Sequence, residues 1–175
     1  MSRKFLLFLL LILVFGLGLY GFLGGFNKVR VGLVVAEPRY LVGQFYAGPT
    51  QGEDFDRVFR EAGRLVEEGV LPGELGGLYY RNPHASPDSI RAFVGVFVAD
   101  SLVRVPAGME LLRVPGGRQV VRAAVVAHYI LAPDRLYPAL FDFAEQQGLT
   151  LREEYLERFP ATRHAVVEVP VVEGR

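Results

Sequence analysis

Glu153 and Tyr155 stand two apart in an extended stretch, so their side chains share one face while Glu154 points the other way. A carboxyl and a phenol on one face can orient a polar or positively charged molecule. Phe93, Gly95 and Phe97 alternate in the same manner along 90–98. The glycine leaves a gap between two rings where a flat molecule could approach the backbone, or the segment is an ordinary core strand under a helix. Tyr46, Tyr79, Tyr80, Tyr129 and Tyr155 fall at or near strand ends, with ring faces for stacking and hydroxyls for orientation. Adjacent side chains alternate, so only one of Tyr79 and Tyr80 can enter a common groove. A carboxylate buried there without a partner would be costly and would mark function or a raised pKa, whereas Arg152 and Glu157 nearby suit a solvated strand.

Other chemistries find less support. His84, His128 and His164 lack the spacing of a helical metal pair and sit in separate elements. Ser86, Ser89 and Ser101 lie in loop contexts without a nucleophile elbow, and the glycines from Gly73 to Gly77 precede a strand instead of opening a helix. The chain has no cysteine, which removes thiolate metal sites and a cysteine nucleophile. Nineteen Lys and Arg balance nineteen Asp and Glu, so no global field draws the chain to nucleic acid, and no cofactor is implied.

The elements that must position these residues come in two similar passes. An amphipathic helix pattern from Phe55 to Gly69 leads to a tyrosine-bearing strand closed by Pro83 and then to the apolar strand 90–98. A second pass gives a helix from Leu136 to Gly148, a strand around Tyr155 closed by Pro160, and a strand over 163–172. The end glycines are 79 residues apart and the two prolines 77, which predicts an α+β fold of duplicated β-α-β-β units with pseudo-twofold symmetry. Thr50 and Glu53 have the capping-box spacing before the first helix. Two halves, about 38–100 and 109–173, must pack together and leave a groove on the pseudo-dyad.

Before them, Phe5 to Phe26 runs 22 residues without a charge. As a helix this is ~33 Å long, enough to cross a hydrocarbon core of about 30 Å. It exceeds the apolar core of a cleaved leader, so residues 1–27 are expected to be a retained, single-pass transmembrane anchor and 28–175 the folded domain. Arg3 and Lys4 on one flank match Lys28 and Arg30 on the other; the domain is expected on the cytoplasmic side, with orientation undecided by charge. Gly21 and Gly25 form a G-x-x-x-G pair suited to close helix packing, though glycine is common in membrane helices.

The runs Phe45-Tyr-Ala-Gly-Pro49, Gly77-Leu-Tyr-Tyr-Arg-Asn-Pro83 and Arg91-Ala-Phe-Val-Gly-Val-Phe97 resemble the GyrI-like small-molecule-binding domain family, as do Val114-Pro-Gly-Gly-Arg118 and Glu153-Glu-Tyr155 with Pro160. A membrane helix leading into this domain, with the Tyr-Tyr-x-Asn-Pro-His run ending at His84, is similar to membrane-anchored reticulophagy receptors of animals. Their autophagy role depends on a C-terminal tail that has no counterpart before Arg175, so it is not carried over. The resemblance implies a GyrI-like/SOUL-like fold and a ligand groove between the halves. It further implies that Tyr80 is the tyrosine entering the groove and that Glu153 faces the pocket. The expected ligand-binding set is Tyr46, Tyr80, Phe93, Phe97, Glu153 and Tyr155, holding a small lipophilic, aromatic or cationic molecule. Two alternatives stay open: a hydrolase of strained small molecules with Glu153 as base, and a membrane-tethered adaptor for another protein.

Overall fold

A computed structural model describes residues 3–85 and 88–172; Ser86, considered above, lies outside them. In chain order the elements are α1 (Arg3–Phe22), β1 (Arg30–Val35), β2 (Arg39–Gly48), α2 (Glu53–Glu67), β3 (Gly73–Tyr79), β4 (Ile90–Val98), β5 (Glu110–Val114), β6 (Gln119–Val126), α3 (Ala132–Gln146), β7 (Tyr155–Phe159) and β8 (His164–Pro170). The strands form one antiparallel sheet in the order β1-β6-β8-β7-β3-β4-β2-β5. That order is symmetric about the β3–β7 ladder, with β4 answering β8, β2 answering β6 and β5 answering β1. The duplicated α+β architecture expected from the sequence is therefore present. The outermost strands also cross over. β1 leads into β2 but pairs with β6, and β5 leads into β6 but pairs with β2, so each half borrows its edge strand from the other.

α2 buries Val58, Ala62 and Leu65 against the sheet and exposes its charged side. Gly52, not Thr50, occupies its N-cap position, without a side-chain cap bond. At the other end Gly69 takes φ 70°, which lets the chain reverse so that the Leu71 N–H reaches the Leu65 carbonyl at 3.0 Å. α3 starts four residues earlier than its leucine stripe indicated, because Pro133 sits in the first turn, where a missing N–H costs nothing. It buries Leu136, Tyr137, Leu140 and Ala144. α2 covers β2, β3 and β4 while α3 covers β1, β6 and β8, so the strip of sheet over β3 and β7 lies between the helices.

Among the described residues no helix covers the other face of the sheet, which closes on itself. Val114 from β5, Ala36 and Glu37 from the β1–β2 link, and Val120, Leu156 and Glu168 from the far strands surround a gap of about 10 Å³. Strong curl requires a row of glycines: Gly43, Gly95 and Gly76 face one another across β2, β4 and β3. A Cβ on Gly95 would overlap the Val42 carbonyl oxygen, and one on Gly43 that of Val94. The expected gap beside Gly95 is thus taken up by neighbouring backbone, and no flat molecule fits there.

Every described residue of α1 up to Tyr20 is exposed. This helix is long and apolar enough to cross a membrane, a test that a signal sequence near an N-terminus also passes. Its Gly21 and Gly25 do not form an open packing stripe, since the helix ends at Phe22 and Gly25 is seated against the ring of Tyr20.

Candidate functional site

The strip between the helices is built on a five-residue ladder, Leu75 to Tyr79 against Tyr155 to Phe159, centred on the pair Gly77 and Glu157. Strand alternation turns Tyr155, Glu157 and Phe159 toward the helices and Leu156 and Arg158 away from them. Gly77, opposite Glu157, leaves its side-chain position to the ring of Tyr79, and Gly63 on α2 has nothing within 4 Å of a would-be Cβ, which keeps the space above the carboxyl open. The result is a cavity of about 1060 Å³. Its floor is Leu75, Tyr79, Glu157 and Phe159, one wall is Phe55, Phe59 and Gly63 of α2, and the other side is closed by Pro83, His84, Tyr129 and Pro133. Asp56, Arg60, Arg64 and Glu67 of α2 ring the mouth with both charge signs.

Glu157 is 4% exposed. The Tyr137 hydroxyl donates to its Oε1 at 2.6 Å and the Tyr79 hydroxyl donates as well. No cationic side chain pairs with it among the described residues. Burial raises its pKa from 4.5 to about 7, against the lowering effect of the two tyrosine hydrogen bonds. Tyr79 and Tyr137 are themselves pushed well above the usual phenol value, first by burial and then by the Glu157 charge, so both stay protonated donors. The arrangement is a carboxyl poised between its two states, oriented by two phenols, at the bottom of an apolar slot. It can accept a positive charge and surround it with aromatic faces.

The structure distributes the six expected residues unevenly. Tyr46 is half-buried and does not line the cavity; its ring lies 5.2 Å from that of Phe55, which does, and its hydroxyl donates to the Pro49 carbonyl at 2.7 Å. Tyr155 is buried on the helix face behind Tyr137, with ring centroids 5.8 Å apart. Tyr80 does not enter the cavity; Tyr79 does, because β3 ends at Tyr79 with that side chain toward the helices. Phe93 and Phe97 point to the opposite face and pack with Leu41, Leu78, Val114 and Leu156, so they do not line the cavity. Glu153 is exposed, since it precedes β7 and lies in the loop before it. The buried glutamate of this strand is Glu157, which shares Tyr155's face at the same spacing of two on the other side. That spacing was a usable signal, as was an acidic residue set between the aromatic Tyr155 and Phe159 on one face of the strand. Tyr137 carried a weaker one, lying next to Leu136 on the buried stripe of α3.

The histidines do not converge. His84 stacks on Tyr137 at 4.6 Å between centroids, and no group of three metal-ligating side chains forms among the described residues.

The architecture is an α+β fold of GyrI-like type. No family model and no curated protein matches the chain, but solved structures share its architecture. An integron cassette protein from the mobile metagenome of Vibrio cholerae superposes with TM-score 0.61 at 9% identity, covering 83% of this chain and 99% of its own. The C-terminal domain of EcmrR gives 0.56 at 11% identity, with 85% and 99% covered. SAV2435, solved bound to tetraphenylphosphonium, gives 0.51 at 15% identity, with 82% and 94% covered.

Proposed function

We propose that this chain is a membrane-anchored binding module that holds a small lipophilic cation in the slot between α2 and α3, with Glu157 as the counter-charge. The observation that carries this reading is a fully buried carboxyl, without a cationic partner, forming the floor of a cavity of about 1060 Å³. A lone carboxylate at such a place is expensive unless a ligand supplies the opposite charge. Phe55, Phe59, Tyr79 and Phe159 supply ring faces around it, and cation–π contact adds about 0.5–2 kcal/mol for each well-placed ring. The same fold in SAV2435 accommodates tetraphenylphosphonium, a charge buried inside four apolar arms. The anchor reading is supported by the way the end of α1 is built into the domain, where Gly24 and Gly25 are buried and hydrogen-bonded to it.

The test is charge selectivity at constant shape. Full-length protein in detergent micelles is titrated at pH 8 with tetraphenylphosphonium and with its neutral isostere tetraphenylmethane, following the thermal unfolding midpoint. The midpoint should rise with the cation and stay unchanged with the neutral compound. Equal responses to both would reduce the slot to a nonspecific apolar cleft.

A further inference from the structure

The end of α1 is not a loose tether. The His128 N–H donates to the Leu23 carbonyl at 2.9 Å, Asn27 Nδ2 donates to the Val126 carbonyl at 2.5 Å, and Arg135 donates to the carbonyls of Gly24, at 3.0 Å, and Gly25. Gly24 has φ 85°, and a Cβ there would overlap the Val126 carbonyl and press on Ala127, so this seat accepts only glycine. The guanidinium of Arg163, in the β7–β8 turn, lies 5.4 Å over the ring of Phe22. These contacts come from the end of β6, the turn after it, the first turns of α3 and the β7–β8 turn, and together they fix the direction in which the apolar helix leaves the domain.

The same β6–α3 turn carries two large exposed side chains, Tyr129 at 57% and Ile130 at 63%, one and two residues beyond the contact at His128. Exposed apolar groups are costly in water, and these two follow directly on His128, which is hydrogen-bonded to Leu23 between the exposed rings of Phe22, at the end of α1, and Phe26, just beyond it. Aromatic side chains at the end of a spanning helix prefer the headgroup level of a bilayer, and Lys28, Arg30 and Arg163 close by suit anionic headgroups. Tyr129 also lines the cavity.

We infer that the docked end of α1 holds the β6–α3 turn in the lipid headgroup layer, with Tyr129 and Ile130 as interfacial contacts. One end of the cavity then opens where lipophilic cations concentrate. The inference rests on α1 being a membrane span and deepens the binding reading by giving the ligand's source as the bilayer interface.

The absence of cysteine allows single-site labelling. Ile130→Cys and, separately, Gln146→Cys at the far end of α3 are labelled with an environment-sensitive fluorophore in full-length protein in phosphatidylcholine–phosphatidylglycerol nanodiscs. The label at 130 should be blue-shifted, quenched by headgroup-level spin-labelled lipid and protected from iodide, and the label at 146 should show the reverse. If the first variant does not fold, Tyr129→Cys serves for the quenching readings alone, since Tyr129 lines the cavity. Adding Gly24→Ala should return the label at 130 to water. Iodide quenching at 130 equal to that at 146 overturns the inference, and so does protection from both quenchers, which would indicate a second copy covering the turn. Tetraphenylphosphonium binding is scored separately, on unlabelled wild type in nanodiscs of the same composition. A lipid-embedded turn without binding defeats the cavity reading alone, and binding with a water-exposed turn defeats this inference alone.

Discussion

Two buried glutamates lie on neighbouring strands of this sheet and face opposite ways. Glu157 looks up into the slot between the helices, and Glu168, whose backbone pairs with Leu156 beside it, looks down into the curled face. Both are almost wholly removed from water, yet their surroundings differ in kind. Glu168 has Arg122 Nε at 2.9 Å, Arg158 at 3.7 Å and Arg39 at 3.9 Å, around a gap of about 10 Å³. Glu157 has two phenols and a cavity a hundred times larger. A carboxylate neutralised on all sides is part of the architecture; one given only hydroxyl donors and open space is left to be neutralised by something that arrives. On the proposed reading, the contrast separates a structural charge from a binding one.

The contrast breaks most visibly by removing the structural member. Glu168→Gln leaves three arginines crowded on the curled face, and since they are only part-buried the loss should be about 3 kcal/mol, read as a lowered denaturant midpoint. A loss below about 1 kcal/mol would show that the arginines do not depend on it. Glu157→Gln should do the opposite at neutral and alkaline pH. A carboxyl whose pKa rises on folding from 4.5 to about 7 makes the native state bind more protons than the unfolded one, so its contribution is fully favourable below 4.5 and is lost as pH rises through 7. Comparing wild type with Glu157→Gln between pH 4.5 and 8 should give a difference growing to about 2–3 kcal/mol in favour of the variant. A flat difference would mean that Glu157 is solvated or paired after all. Smallest is Tyr137→Phe, which removes one hydrogen bond to the carboxylate. It should cost about 1 kcal/mol at pH 8 and raise the Glu157 midpoint further, seen as a shifted inflection in the same stability profile.

Much of the fold was legible because periodicity and punctuation are local. The strand over 90–98, the stop at Gly69 and the proline closing β7 follow from alternation, left-handed glycine and a missing N–H. The crossover of β1 and β5 was not legible, since the pairing partner of an edge strand depends on contacts about seventy to ninety residues away. The site was readable to within one pleat. Alternation placed Tyr155 on a face with a glutamate two residues off, but only the onset of β7 at Tyr155 decides that the glutamate inside the sheet is Glu157 and that Glu153 stays in the loop. The same rule showed that Tyr79 and Tyr80 diverge, and the choice between them required the face of β3 that the helices cover. Phe93 and Phe97 do share a face; the curl imposed by Gly43, Gly95 and Gly76 gives that face a core of its own, away from the cavity.

The central claim is that the Glu157 carboxylate balances the charge of a bound cation. Calorimetric titration of tetraphenylphosphonium into full-length wild type and Glu157→Gln at pH 8 tests it most directly. A charge-assisted contact of about 1.5–3 kcal/mol predicts a dissociation constant weakened roughly tenfold to a hundredfold in the variant while its fold is retained. Equal affinities in the two proteins would contradict the account.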